Sequence, residues 1–122
     1  MSMPILHPED AEYLARALTK ECAGPNISYA ARVGIAAVIL NRMEDDRYPD
    51  TAAAVLNAQN VPPTRLELPL DEKDYRLSLD ACRAACDGAD PTGGALSYEI
   101  LEPNLTPESP YYTVVIDNVA FW

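Results

Sequence analysis

The sequence predicts an α+β fold that is mainly α, with four helices followed by a small C-terminal β-hairpin, and three observations carry that prediction. Apolar residues recur at helical spacing in two stretches, near 8–22 and 71–87. A third stretch, Val33 to Leu40, is apolar nearly all round, as suits a helix at the centre of a core. The segments Ala95 to Leu101 and Tyr111 to Ile116 are rich in strand-forming residues, and Pro-rich residues 102 to 110 join them.

The elements follow in order. Pro8 suits a first helical turn, with Glu9 and Asp10 beside its positive end. Ala11, Leu14, Ala15 and Leu18 then form one apolar stripe, while Glu12, Arg16 and Lys20 take the other side. Gly24-Pro25-Asn26 ends this helix, and Ser28 caps a second one running to about residue 44. Asp45 to Asp50 reads as a loop, and Asp50 or Thr51 caps a short helix over 50–58. Pro62, Pro63 and Pro69 make the region from Gln59 onward a connection. Asp71 then caps a helix whose Tyr75, Leu79, Cys82 and Cys86 share a stripe, and Gly88 closes it. Gly93-Gly94 is a sharp turn before the first strand, and Asp117-Asn118 is a turn near the end.

At 122 residues the chain is expected to form a single domain, 1–122, burying about two-thirds of its unfolded surface. A composition 48% hydrophobic and 23% charged excludes disorder and collagen. The longest apolar run is far short of the ~20 residues that cross a bilayer, so no membrane span is expected. The first ten residues lack the basic and apolar regions of a secretory signal, so no export signal is read in them. Nine Lys and Arg against 19 Asp and Glu give a net charge of −10, which disfavours a nucleic-acid partner. His7 is the single histidine, and Cys22, Cys82 and Cys86 contain no Cys-x-x-Cys pair, so neither a metal site nor a cofactor is expected. The spacing of Cys82 and Cys86 suits two small buried apolar side chains, with a redox pair as the alternative.

Glu21 is the informative residue. Seven positions at 100° place it within about 20° of Leu14, so a carboxylate lies in line with the apolar stripe. Burial there would favour the neutral carboxyl and raise its pKa, as a proton donor near neutral pH requires. The alternative is a frayed helix end, with the side chain in water or bonded to a nearby amide. No nucleophile elbow, phosphate loop or His-based triad competes with it. Tyr98, Tyr111 and Tyr112 suit either a sugar-binding cleft or the filling of a small sheet.

Taken together, these pieces resemble a known family. They are Leu14-Ala15-Arg16-Ala17 with Glu21, Ile35-Ala36-Ala37-Val38-Ile39-Leu40-Asn41-Arg42, Tyr48-Pro49-Asp50-Thr51, the string from Asp87 to Leu96 that includes Asp90-Pro91-Thr92-Gly93-Gly94, and Ile116-Asp117-Asn118 with Phe121-Trp122. Their order and spacing are similar to the SleB-type cell-wall hydrolases, which include the spore-cortex-lytic enzymes, from residue 10 to the end of the chain.

The resemblance implies a small lysozyme-like, mostly helical catalytic domain acting on peptidoglycan glycan strands, usually as a lytic transglycosylase without cofactor. It implies that Glu21 is the essential acid. Its carboxyl would protonate the glycosidic oxygen while the C6 hydroxyl of the same muramic acid attacks the anomeric carbon, leaving a 1,6-anhydro sugar. One acid then serves where an ordinary glycosidase needs two carboxylates. Thr51, Asn41, Tyr98, Gly93 and Gly94 match family positions and are the expected substrate contacts, each with a structural alternative: cap, loop bond, sheet packing or turn. The implied setting is the cell wall or spore cortex, and a monomer is expected. The sequence also departs from the family pattern. Glu-Ala-Arg-Gly-Glu is replaced by Glu21-Cys22-Ala23-Gly24-Pro25, Tyr-Phe-Tyr by Ser97-Tyr98-Glu99, and Asn-His by Asn118-Val119. A divergent relative that binds peptidoglycan or a protein without turnover is the alternative function.

Overall fold

The computed structural model of the chain describes residues 8–22, 27–49, 51, 54–55, 71–101 and 112–122. Its helices are α1 (Pro8–Cys22), α2 (Tyr29–Glu44) and α3 (Glu72–Cys86), and its strands are β1 (Tyr98–Ile100), β2 (Val114–Ile116) and β3 (Val119–Phe121). These helices fall where the apolar spacing puts them, and both expected caps are in place. Ser28, with extended backbone, accepts from the Ala31 N–H at 3.2 Å, and Asp71 accepts from the Asp74 N–H at 3.0 Å. Gly88 closes α3 at φ +107°, with its own N–H on the Ala85 carbonyl and the Ala89 N–H on the Ala84 carbonyl. That is the paired hydrogen-bond pattern of a glycine-stopped helix. Of the expected 50–58 helix, Ala54 and Val55 are helical and Thr51 caps them, its Oγ1 accepting from the Ala54 N–H at 3.1 Å. The rest of that helix, the turn 23–26, the connection 59–69, the link 102–110 and Tyr111 lie outside the described residues.

The core is built around α2, every residue of which is buried from Ala31 to Leu40. α3 packs against both α1 and α2. Leu14, Ala15, Leu18 and Cys22 of α1, Ala81, Cys82 and Ala85 of α3, and Phe121 of β3 join α2 in one apolar cluster. Thr19 is buried among them without penalty, because its hydroxyl donates to the Ala15 carbonyl at 2.7 Å.

The expected two-stranded hairpin over 95–116 is corrected to a three-stranded antiparallel sheet of order β1-β3-β2. β1 and β2 do not pair; each pairs with β3, Tyr98 and Val114 both standing opposite Phe121. Asp117-Asn118 is the turn between β2 and β3, with Asp117 at φ +53°. β3 was hidden in the sequence for a physical reason. A central strand of three residues, all of them buried, carries no polar alternation to announce a strand. Phe121 fixes the sheet on α2 by laying its ring against Gly34, where a Cβ would stand 2.6 Å from the Phe121 Cζ.

Candidate active site

The C-terminal end of α2 gathers most of the expected contact residues. Asn41, in its last turns, donates from Nδ2 to the Asp90 Oδ2 at 3.1 Å and to the Ala95 carbonyl at 3.0 Å, so both amide hydrogens are engaged. Asp90 is the hub. Its Oδ1 accepts from the Thr92 N–H at 2.9 Å and from the Thr92 hydroxyl, and its Oδ2 also accepts from the Gly94 N–H at 2.9 Å. An Asp followed by Pro-Thr-Gly-Gly folds back on its own chain in this way because its short side chain reaches amides two and four residues on. Gly93 and Gly94 take φ +68° and +92°, with open space where a Cβ would stand. Partial burial alone would raise the Asp90 pKa. The hydrogen bonds from the Thr92 and Asn41 side chains and the Thr92 and Gly94 amides outweigh it and hold the carboxyl below its ordinary value. Next along α2, Arg42 donates from Nε to the Leu96 carbonyl at 2.7 Å and lies 5.2 Å from the centre of the Tyr48 ring, so the segment entering β1 is held as well.

The structure thus brings Asn41, Gly93 and Gly94 into one hydrogen-bonded unit. Thr51 is exposed and serves as a cap. Tyr98 is half-buried at the start of β1 and packs against the core beside Phe121. On the outer side of the sheet, Tyr112 donates to Glu99 and its ring centre lies 5.2 Å from that of Trp122. Glu21 occupies the last turn of α1; its side chain, and with it the expected burial and raised pKa, lies outside the described residues. That end of α1 meets the start of α2, where the Ile27 N–H donates to the Cys22 carbonyl at 3.0 Å and the Ser28 hydroxyl donates to Asp117. Thirteen residues of helix rise separate Ser28 from Asn41, about 20 Å along the axis.

Of the two cysteines expected to be buried on one face of α3, Cys82 is buried and Cys86 is only partly so, packed against the edge of the core. Cys22 and Cys82 are fully buried, and burial, with smaller contributions from Cys86 and Cys22, pushes the Cys82 thiol up to about 12. Sequence reading passed over Asp90 and Thr92 as site residues, although the Asx-turn signal was present. It also passed over Arg32, which no pattern marks out, because helical spacing identifies a buried face but not a cation placed on it.

Residues 26–122 match the family model described as Cell Wall Hydrolase. The chain belongs to the cell wall hydrolase family. Its similarity to the spore cortex-lytic enzyme of Halalkalibacterium halodurans is 34% identity over 93 residues, which covers 73% of this chain and 26% of that protein. The chain therefore spans about a quarter of the length of that relative. The crystal structure of the catalytic domain of the Bacillus cereus SleB protein superposes with a TM-score of 0.70 at 27% identity, covering 98% of this chain and 94% of that one. The catalytic domain of the germination-specific lytic transglycosylase SleB from Bacillus anthracis gives 0.66 at 28% identity, with 95% of each chain covered. The mainly helical, lysozyme-like α+β fold expected from the sequence is the fold of this cell wall hydrolase domain. The match to the family model begins five residues after Glu21, whereas the fold match takes in nearly the whole chain.

Proposed function

We propose that this domain cleaves the glycan strands of peptidoglycan by lytic transglycosylation at muramic acid, with Glu21 as its single acid and base. The observation that carries this reading is the fold match over 98% of the chain to a SleB catalytic domain. In the proposed reaction the Glu21 carboxyl gives its proton to the glycosidic oxygen, and the carboxylate then takes the proton of the C6 hydroxyl as that oxygen closes on the anomeric carbon. No water is consumed.

The exposed Gly93-Gly94 turn supports a glycan contact on backbone, since among the described residues nothing stands within 4 Å of where either Cβ would be. Asn41 has both N–H groups committed, so its role is to fix that turn through Asp90 rather than to donate to a sugar. Thr51 and Tyr98 remain proposed sugar contacts. The domain is proposed to act as a monomer.

The test compares wild type with Glu21→Gln on peptidoglycan carrying intact muramic acid or muramic lactam, with soluble products read by mass. Anhydro-muramic ends from wild type alone are the expected result. Water-added reducing ends would replace transglycosylation by hydrolysis, and equal release by both proteins would remove Glu21 as the acid. Release by neither would favour the binding-only alternative.

A further inference from the structure

Arg32 is the largest fully buried side chain among the described residues, at 0% exposure, and no step above uses it. Its guanidinium ties α2 to α3 and to the residues just ahead of α2. Nε donates to the Ile27 carbonyl at 2.8 Å, Nη1 to the Ser78 hydroxyl at 2.9 Å and the Asp74 carbonyl at 3.2 Å, and Nη2 to the Asp74 carboxylate at 3.2 Å. Taking a guanidinium wholly out of water costs several kcal/mol, and apolar side chains of the same volume often replace buried ion pairs at no loss of stability. Stability is therefore a poor reason for this cation. What it supplies is geometry, because its planar fork fixes three partners at set angles.

The Nε bond is the one that reaches the proposed acid. Arg32 holds the carbonyl of Ile27, the N–H of Ile27 donates to the carbonyl of Cys22, and Cys22 is the last residue of α1 and the neighbour of Glu21. Ile27 is itself 1% exposed, so its carbonyl has no water to fall back on if Arg32 lets go. We infer that Arg32 is a positioning residue for Glu21, setting the direction of the last turn of α1 through Ile27 and Cys22 while Asp74 and Ser78 anchor it on α3. The inference rests on the proposed role of Glu21. A displacement of about 1 Å at a reacting group costs up to ~10²-fold in rate, so the effect belongs in turnover rather than in affinity.

The test measures kcat and KM on soluble glycan strands, together with thermal melts, for wild type, Arg32→Met, Arg32→Lys, Val38→Ala and Glu21→Gln. Arg32→Met is expected to lose ~10- to 100-fold in kcat with KM within about twofold of wild type. Arg32→Lys keeps the charge but not the fork, and is expected to lose kcat in the same sense by a smaller factor, which keeps the test open if Arg32→Met fails to fold. Val38→Ala opens a cavity in the core at a residue that makes none of these contacts, so its melting temperature should fall while kcat stays within about twofold. Wild-type kcat in both Arg32 variants, or a kcat loss in Val38→Ala that tracks its melting temperature, would overturn the positioning role while leaving an inactive Glu21→Gln to support the acid. Full turnover by Glu21→Gln, or none by wild type, would overturn the acid assignment and this role with it.

Discussion

The two ends of α2 are both held by an ion, yet they are built on opposite principles. At the start, Arg32 is a cation removed wholly from water, and the groups it donates to lie on α3 and just ahead of α2. At the finish, Asp90 is a half-buried anion that gathers the amides of its own turn and one amide from the helix. The contrast extends to glycine. A Cβ on Gly34 would strike the Phe121 ring, whereas a Cβ on Gly93 would meet open space. One end is anchored by a buried cation, and the other by a half-buried anion beneath an exposed turn.

Four single substitutions, one of them with a companion change, would break or sharpen that contrast. The largest effect is expected from Asp74→Ala, which leaves Arg32 buried without its counter-charge. Because the Asp74 side chain is 32% exposed, the loss should sit at the low end for a broken buried pair, about 3 kcal/mol, as read from urea unfolding. A loss near zero would mean that water or another carboxylate reaches the guanidinium. Gly34→Ala comes next, at about 2 kcal/mol. The overlap with a Phe121 ring that has no room to move outweighs the ~1 kcal/mol gained in helix propensity. Adding Phe121→Leu should return part of that loss, and simple additivity of the two would show that the ring is not the obstacle.

At the open end the effects are smaller, and one depends on pH. Asp90→Asn is expected to lose about 1–2 kcal/mol at neutral pH, because hydrogen bonds to a charged acceptor become bonds to a neutral one. The folded-state pKa of Asp90 lies below its ordinary value of about 4. Its contribution is therefore complete above that value and disappears as the pH falls through the lower folded value. Melting curves of wild type and Asp90→Asn should converge in acid, and a gap that persists at low pH would assign the effect to shape rather than charge. Gly93→Ala should cost the least, about 1 kcal/mol for a left-handed backbone angle with no clash. A larger loss on thermal melting would show that the turn is packed more tightly than its open surroundings imply.

Much of the scaffold was legible because its signals are local. The stripe from Ala11 to Leu18, the caps at Ser28 and Asp71 and the stop at Gly88 each act within a few residues, and each gave a helix end that the structure keeps. The sheet was less legible because strand order is a long-range property. Nothing near residue 98 says that its partner is residue 121 rather than 114. The candidate site divides in the same way. Gly93-Gly94 announced its turn, and Glu21 stood out by its helical angle. The Asn41–Asp90 bond joins residues 49 apart in sequence, and the Arg32–Ser78 bond joins residues 46 apart, so neither leaves a mark in a window of any practical length.

The placement of β3 bears on when this domain becomes whole during synthesis. Among the described residues β1 and β2 have no hydrogen-bonded strand partner except β3, and β3 is made after both of them. Chains emerge from the ribosome at about 5–20 residues per second, so α1, α2 and α3 are available to pack while the two outer strands still lack their common neighbour. The seat for the Phe121 ring at Gly34 stays empty for the same interval. A nascent chain halted before residue 119 would thus expose two unpaired strand edges and one uncovered patch of core, the surface that a ribosome-associated chaperone is built to shield.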